Sequence, residues 1–169
     1  PMDRKEFFHT VFNGLLDAYG ILHTDSEKNE VGKLEGQVFF VRENVTPLLW
    51  QKHLNGEAPS LGIVPINREH KCSWGCIDVD EYPYNHLNLI KKIKKLNLPL
   101  IVFKSKSGGA HVFLFSQKKI TAQKMQDTLK VIAASLGLAG KEIYPKQTSL
   151  IEKRDVGNCL NMPYFGGDN

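Results

Sequence analysis

A chain of 169 residues, 41% hydrophobic and 24% charged, has the make-up of one ordinary globular domain, able to bury a core without disulfides or a structural metal. The formal net charge of +4 suits a nucleotide or nucleic-acid partner without demanding one. No apolar run reaches the length of a membrane span and no signal-peptide pattern opens the chain, so the odd set Cys72, Cys76 and Cys159 predicts reduced thiols, a cytoplasmic location and no membrane.

Pro1 ahead of Met2 reads as a residue left by tag removal. Asp3 to Tyr19 carries Phe8, Phe12, Leu15 and Tyr19 at helical spacing, with Asp3 as a candidate N-cap and Gly20 as a stop, which predicts an amphipathic helix. A polar loop is expected over Thr24 to Lys33, then a strand over Gln37 to Val41. Thr46 and Pro47 predict a short helix to Leu54, and Leu61 to Val64 a strand ended by Pro65.

From Trp74 onward the pattern is more regular. A strand is expected over Trp74 to Asp80, a helix over Tyr84 to Asn97 with Leu87, Ile90, Ile93 and Leu96 on one stripe, and a strand over Pro99 to Lys104. Lys91, Lys92, Lys94 and Lys95 on that helix read as a solvated face. Ser105 to Ala110 is a turn by its serines and glycines, His111 to Phe115 a strand, and Thr121 caps a helix over Ala122 to Leu136 stopped by Gly137. A strand over Lys141 to Tyr144 and a last one near Asn158 to Met162 complete the reading.

The order β-α-β-β-α-β predicts an α+β fold with a ferredoxin-like sheet of order 4-1-3-2, all neighbours antiparallel. The expected organisation is an N-terminal helical and strand subdomain over 2–70, packed on the sheet, and a core over 71–169. In that topology the first core strand is flanked by the third and fourth. Asp78 and Asp80 at its end therefore meet His111, which opens the third, and Glu142, which opens the fourth. Alternation puts Ile77 and Val79 towards the helices and the acids on the other face, with His111, Phe113 and Phe115.

Adjacent carboxylates repel unless a cation lies among them. Three on neighbouring strands can hold two divalent ions at the separation used in phosphoryl transfer, and oxygen ligands suit Mg2+ or Mn2+ rather than zinc. The turn Ser105, Ser107, Gly108 and Gly109 offers hydroxyls and backbone N–H groups for a triphosphate. Lys104 and Lys146 can neutralise phosphate charge, and His111 can donate to a phosphate oxygen or shuttle a proton. The plain alternatives are an ordinary hairpin for the turn, a satisfied strand histidine for His111 and a surface residue for Glu142. A zinc site at His70, Cys72 and Cys76 competes with buried strand cysteines.

The motifs resemble the archaeo-eukaryotic primase superfamily of primase-polymerases, in the type found in bacteria, phages and mobile elements. The resemblance runs from about Lys52 to Phe165. It rests on Asp78-Val79-Asp80, on Ser105-Lys106-Ser107-Gly108-Gly109-Ala110-His111, on Glu142-Ile143-Tyr144-Pro145 and on Gly157-Asn158-Cys159-Leu160-Asn161-Met162-Pro163, with Lys52 to Gly56 and Leu61 to Pro65 upstream. It implies that Asp78, Asp80 and Glu142 bind two catalytic metals, with Asp155 as the rival third acid. It further implies that Ser105, Ser107 and His111 contact the phosphates of the incoming nucleotide. The implied activity is primer synthesis or extension from nucleoside triphosphates on a single-stranded DNA template or primer–template, with a fused or associated helicase as a possible partner. The ending Gly166 to Asn169 reads as a cut chain. The competing readings are a palm-type nucleotide cyclase, a non-catalytic RNA-binding domain that stacks bases on Phe113 and Phe115, and a metal-dependent hydrolase.

Overall fold

The computed structural model describes residues 1–167. The chain runs α1 (Arg4–Val11), β1 (Tyr19–Lys28), β2 (Leu34–Val41), α2 (Pro47–Leu54), β3 (Ser60–Ile63), β4 (Lys71–Val79), α3 (His86–Lys95), β5 (Leu100–Lys104), β6 (Ala110–Thr121), α4 (Ala122–Ser135), β7 (Glu142–Tyr144) and β8 (Leu160–Asn161). Two four-stranded sheets form, one of order β5-β6-β4-β7 and one of order β2-β1-β3-β8. Among the described residues every strand pair is antiparallel.

The first sheet holds the strands around which the sequence is patterned, and β4 lies between β6 and β7 as expected. Its two faces are separate cores. Ile77, Val79, Val112, Met125 and Leu129 pack with Leu89 and Ile93 of α3 on one face. Trp74, Cys76, Phe113 and Tyr144 pack on the other with Phe8, Phe12, Trp50, Leu61 and Ile63. The N-terminal elements thus cover the sheet face opposite the helices, and the Trp74 indole N–H pins them by donating to the Asn13 carbonyl at 2.7 Å. Burying the face that carries Trp74 and Phe113 removes large apolar area from water, the main driving force for seating this layer.

The N-terminal region departs from the sequence reading. The helix expected to reach Tyr19 stops at Val11, and the polar stretch expected as a loop from Thr24 forms the outer half of β1, paired with β2 from Tyr19↔Val41 to Lys28↔Leu34. Gly20 is therefore a strand residue and not a helix stop. A Cβ there would lie 2.3 Å from the Cys159 sulfur, so only glycine lets these segments touch. The strand expected over Gln37 to Val41 is the second half of β2, but β1 escaped detection because its outer half is exposed on both faces and carries no apolar alternation. β6 continues to Thr121, six residues past the expected end at Phe115. Strand β8, late in the chain, pairs with β3 and so joins residues 160–161 to the sheet of the N-terminal segment. Among the described residues no helix is long and apolar enough to cross a membrane.

Candidate active site

The acids are gathered by strand register. Asp78 of β4 stands opposite His111 on β6 and opposite Glu142 on β7. Asp80 follows two residues later, just past the strand. Each carboxylate faces a cation or a cation-forming ring: Asp78 Oδ1 lies 3.3 Å from His111 Nε2, Asp80 Oδ2 3.0 Å from Lys33 Nζ, and Glu142 Oε1 3.1 Å from Lys146 Nζ. The Tyr82 hydroxyl donates to the second Asp80 oxygen. The hydrogen bond to Asp80 holds the Lys33 ammonium above its ordinary pKa against the opposing effect of burial, and the charges of Asp80, Asp78 and Glu142 add to it. Lys33 thus lies in the field of all three acids. Burial pushes the Tyr144 phenol well up, and Asp78 and Glu142 push it further.

These residues fit a hard divalent cation by donor type, since three carboxylates on adjoining strands supply only oxygen. Their present arrangement is closed around protein cations: among the described residues, no three of histidine, cysteine, aspartate and glutamate converge as a metal cage. Asp155 lies outside the strands that carry the three acids. Its carboxylate accepts the Glu152 N–H at 3.0 Å and closes a local turn. The zinc alternative is undone by geometry. A register shift between Cys72 and Trp74 sends Cys72 to the helix-side core while Cys76 packs on the opposite face. Burial drives the Cys72 thiol up to about 12, and the ring of His70 is bonded to the Leu150 carbonyl.

The Ser105–Ala110 turn is held against the end of β4. Gly108 has φ +101, a conformation that side chains resist, and a Cβ on Gly109 would lie 2.3 Å from the Val79 carbonyl. Ser105 N–H donates to Gly109 O and Gly108 N–H to Ser105 O, so these two N–H groups serve the turn itself. Lys104, Ser105, Lys106 and His111 line one cavity of about 210 Å³ with Asn161, Met162 and Tyr164. Ser107 faces elsewhere: it is buried, and its hydroxyl oxygen accepts the Leu34 N–H at 2.8 Å. Lys146 also stands apart from that cavity, its ammonium 5.1 Å from the centre of the Tyr144 ring. With Glu142 it borders a wider groove of about 640 Å³ between α4 and β7.

The sequence reading passed over two residues of this region. Lys106 donates to Ser60 Oγ at 3.0 Å, and Ser60 Oγ donates in turn to Asn161 Oδ1 at 2.8 Å. Burial lowers the Lys106 pKa to about 8. Its place between the two serines of the turn was the available signal. Lys33 had none, because its position depends on the pairing of β2 with an outer β1 that the pattern did not reveal.

The sheet thus brings carboxylates to one end, beside a glycine turn and a lysine-lined cavity. The chain belongs to the archaeo-eukaryotic primases: residues 6–168 match the family described as the TOTE conflict system archaeo-eukaryotic primase domain. No curated protein matches it. The family is one of primase-type nucleotidyltransferases, which in general depend on divalent metals and act on nucleotides and DNA templates.

Proposed function

We propose that this domain joins nucleoside triphosphates on a single-stranded DNA template or primer–template, as a primase, a DNA polymerase or both. The observation that carries the reading is the register that sets Asp78 between Glu142 and His111, next to a cavity walled by Lys104, Ser105 and Lys106. Asp78, Asp80 and Glu142 would hold the divalent cations, Mg2+ or Mn2+. When bound, these supply a hydroxyl of lowered pKa and charge relief for the leaving pyrophosphate. The chain's own contribution is positional. Lys104 and Lys106 draw the triphosphate into the cavity, and the Ser105 hydroxyl donates to it. His111 borders the cavity while its Nε2 holds Asp78, so it links nucleotide binding to the acids.

The RNA-binding alternative loses its stacking surface: Phe113 is fully buried and Phe115 packs against the N-terminal layer. The cyclase alternative lacks a carboxylate in the turn between β5 and β6. The test is extension and de novo synthesis on single-stranded DNA with ribo- or deoxyribonucleotides and Mg2+ or Mn2+. Asp78→Asn/Asp80→Asn should abolish incorporation while far-ultraviolet circular dichroism stays unchanged. Undiminished incorporation by that variant at saturating Mn2+ would end the proposal.

A further inference from the structure

The turn joining β1 to β2 is tightly built and touches both halves of the site. Asn29 organises it: its N–H donates to Lys33 O at 2.8 Å, and its side-chain oxygen accepts from Val31 N–H at 3.1 Å and Lys33 N–H at 2.9 Å. Gly32, at φ +85, lies against Tyr82, the residue that also bonds Asp80. Leu34 N–H is anchored on Ser107 Oγ, and between these contacts Lys33 reaches Asp80. A segment remote in sequence therefore sets one ammonium on Asp80, within the field of Asp78 and Glu142, while holding the glycine turn beside them.

We infer that Lys33 is a further positioning residue of this site: its ammonium is the resident counter-ion of the acid cluster and yields its place when divalent cations bind there. The inference rests on the reading of Asp78, Asp80 and Glu142 as the metal-binding acids. Lys33 relieves the repulsion that would splay the carboxylates, so the strand ends stay in register before any cation arrives. The pair is open to solvent, with side chains 45% and 49% exposed, so it is weak and exchangeable rather than a fixed strut. A dication entering among the acids must meet or displace this positive charge. A triphosphate entering beside it brings negative charge that the freed ammonium can approach. Lys33 therefore disfavours metal alone more than metal with nucleotide, which couples the two binding events.

The test measures Mn2+ binding to the whole chain, without nucleotide, by the electron paramagnetic resonance signal of free Mn2+ at low ionic strength. Lys33→Met should bind Mn2+ about 3- to 10-fold more tightly than wild type, the effect of removing one charge a few ångströms from a dication in a solvated site. Lys33→Arg, which keeps the charge, should bind as wild type does. A non-hydrolysable nucleoside triphosphate should shrink the advantage of Lys33→Met. Equal Mn2+ affinity in Lys33→Met and wild type, where Asp80→Asn weakens binding, would overturn the inference and leave the acids standing as ligands. An equal gain in Lys33→Met and Lys33→Arg would overturn it too, since loosening the turn and not removing charge would then be the cause. Mn2+ binding that Asp78→Asn/Asp80→Asn leaves untouched would instead refute the metal reading of the acids, and the inference with it.

Discussion

Replacing Lys106 with methionine separates a functional ammonium from a structural one, because the two roles predict opposite changes. Lys106 has a neutral partner, Ser60, and burial lowers its pKa to about 8 from an ordinary 10.5. The folded state thus binds this proton less tightly than the unfolded chain. The resulting penalty is complete below about pH 8 and is relieved as pH rises from there towards 10.5. Lys106→Met removes the penalty and keeps most of the packing, so at pH 7 it should raise thermal stability by about 1 kcal/mol, once the residual solvent contact of the ammonium is discounted. On the proposed function the same change also removes a charge-assisted hydrogen bond to the triphosphate, worth about 1.5–3 kcal/mol, or roughly 10- to 150-fold in affinity. With a pKa of about 8, the protonated share falls from about nine-tenths at pH 7 to about one-tenth at pH 9. The wild-type advantage over Lys106→Met should shrink by about five- to tenfold across that range. Titration calorimetry with a non-hydrolysable triphosphate, with thermal unfolding of both proteins, reads all three quantities. A Lys106→Met protein that melts lower and binds triphosphate as well as wild type at every pH would refute the argument and make Lys106 a strut for Ser60 and Asn161.

The third acid is separable by a pair of substitutions. Glu142→Gln should cut nucleotide incorporation at least about 100-fold, whereas Asp155→Asn should leave incorporation within about twofold and cost under about 1 kcal/mol through its lost turn contact. Incorporation assays under single-turnover conditions check the first, and urea unfolding the second. Gly109→Ala should raise the KM for nucleoside triphosphate with the fold retained, because the new methyl must push the turn off the Val79 carbonyl. Steady-state kinetics with circular dichroism checks it, and an unchanged KM would mean that the turn's position is irrelevant to binding.

Much of the core could be read from one dimension because period-two and period-3.6 patterns carry face information directly. Ile77, Val79 and Val112 alternate against Asp78 and His111, and that alternation alone separates the helix-side core from the acidic edge. The motif residues of the turn were legible for the same local reason, since glycine and serine mark tight backbone. The roles within the turn were not. Ser105 and Ser107 look equivalent in sequence, yet one lines the cavity and the other is taken by Leu34. Lys104 and Lys146 look equally fit for phosphate, yet they stand at different cavities.

By itself the sequence determined the α+β class, the run of core elements along the chain, the acids at the end of β4 and the motif string of the primase family, because all of these are set by neighbours along the chain. Only the tertiary structure decided that polar residues 24–28 form a ribbon, that the ribbon's turn delivers Lys33 to Asp80, and that Lys106 is buried against Ser60 and Asn161. The physical reason is that a counter-ion is recruited through space, by whichever charge another segment brings within a few ångströms. No spacing rule along the chain encodes that encounter.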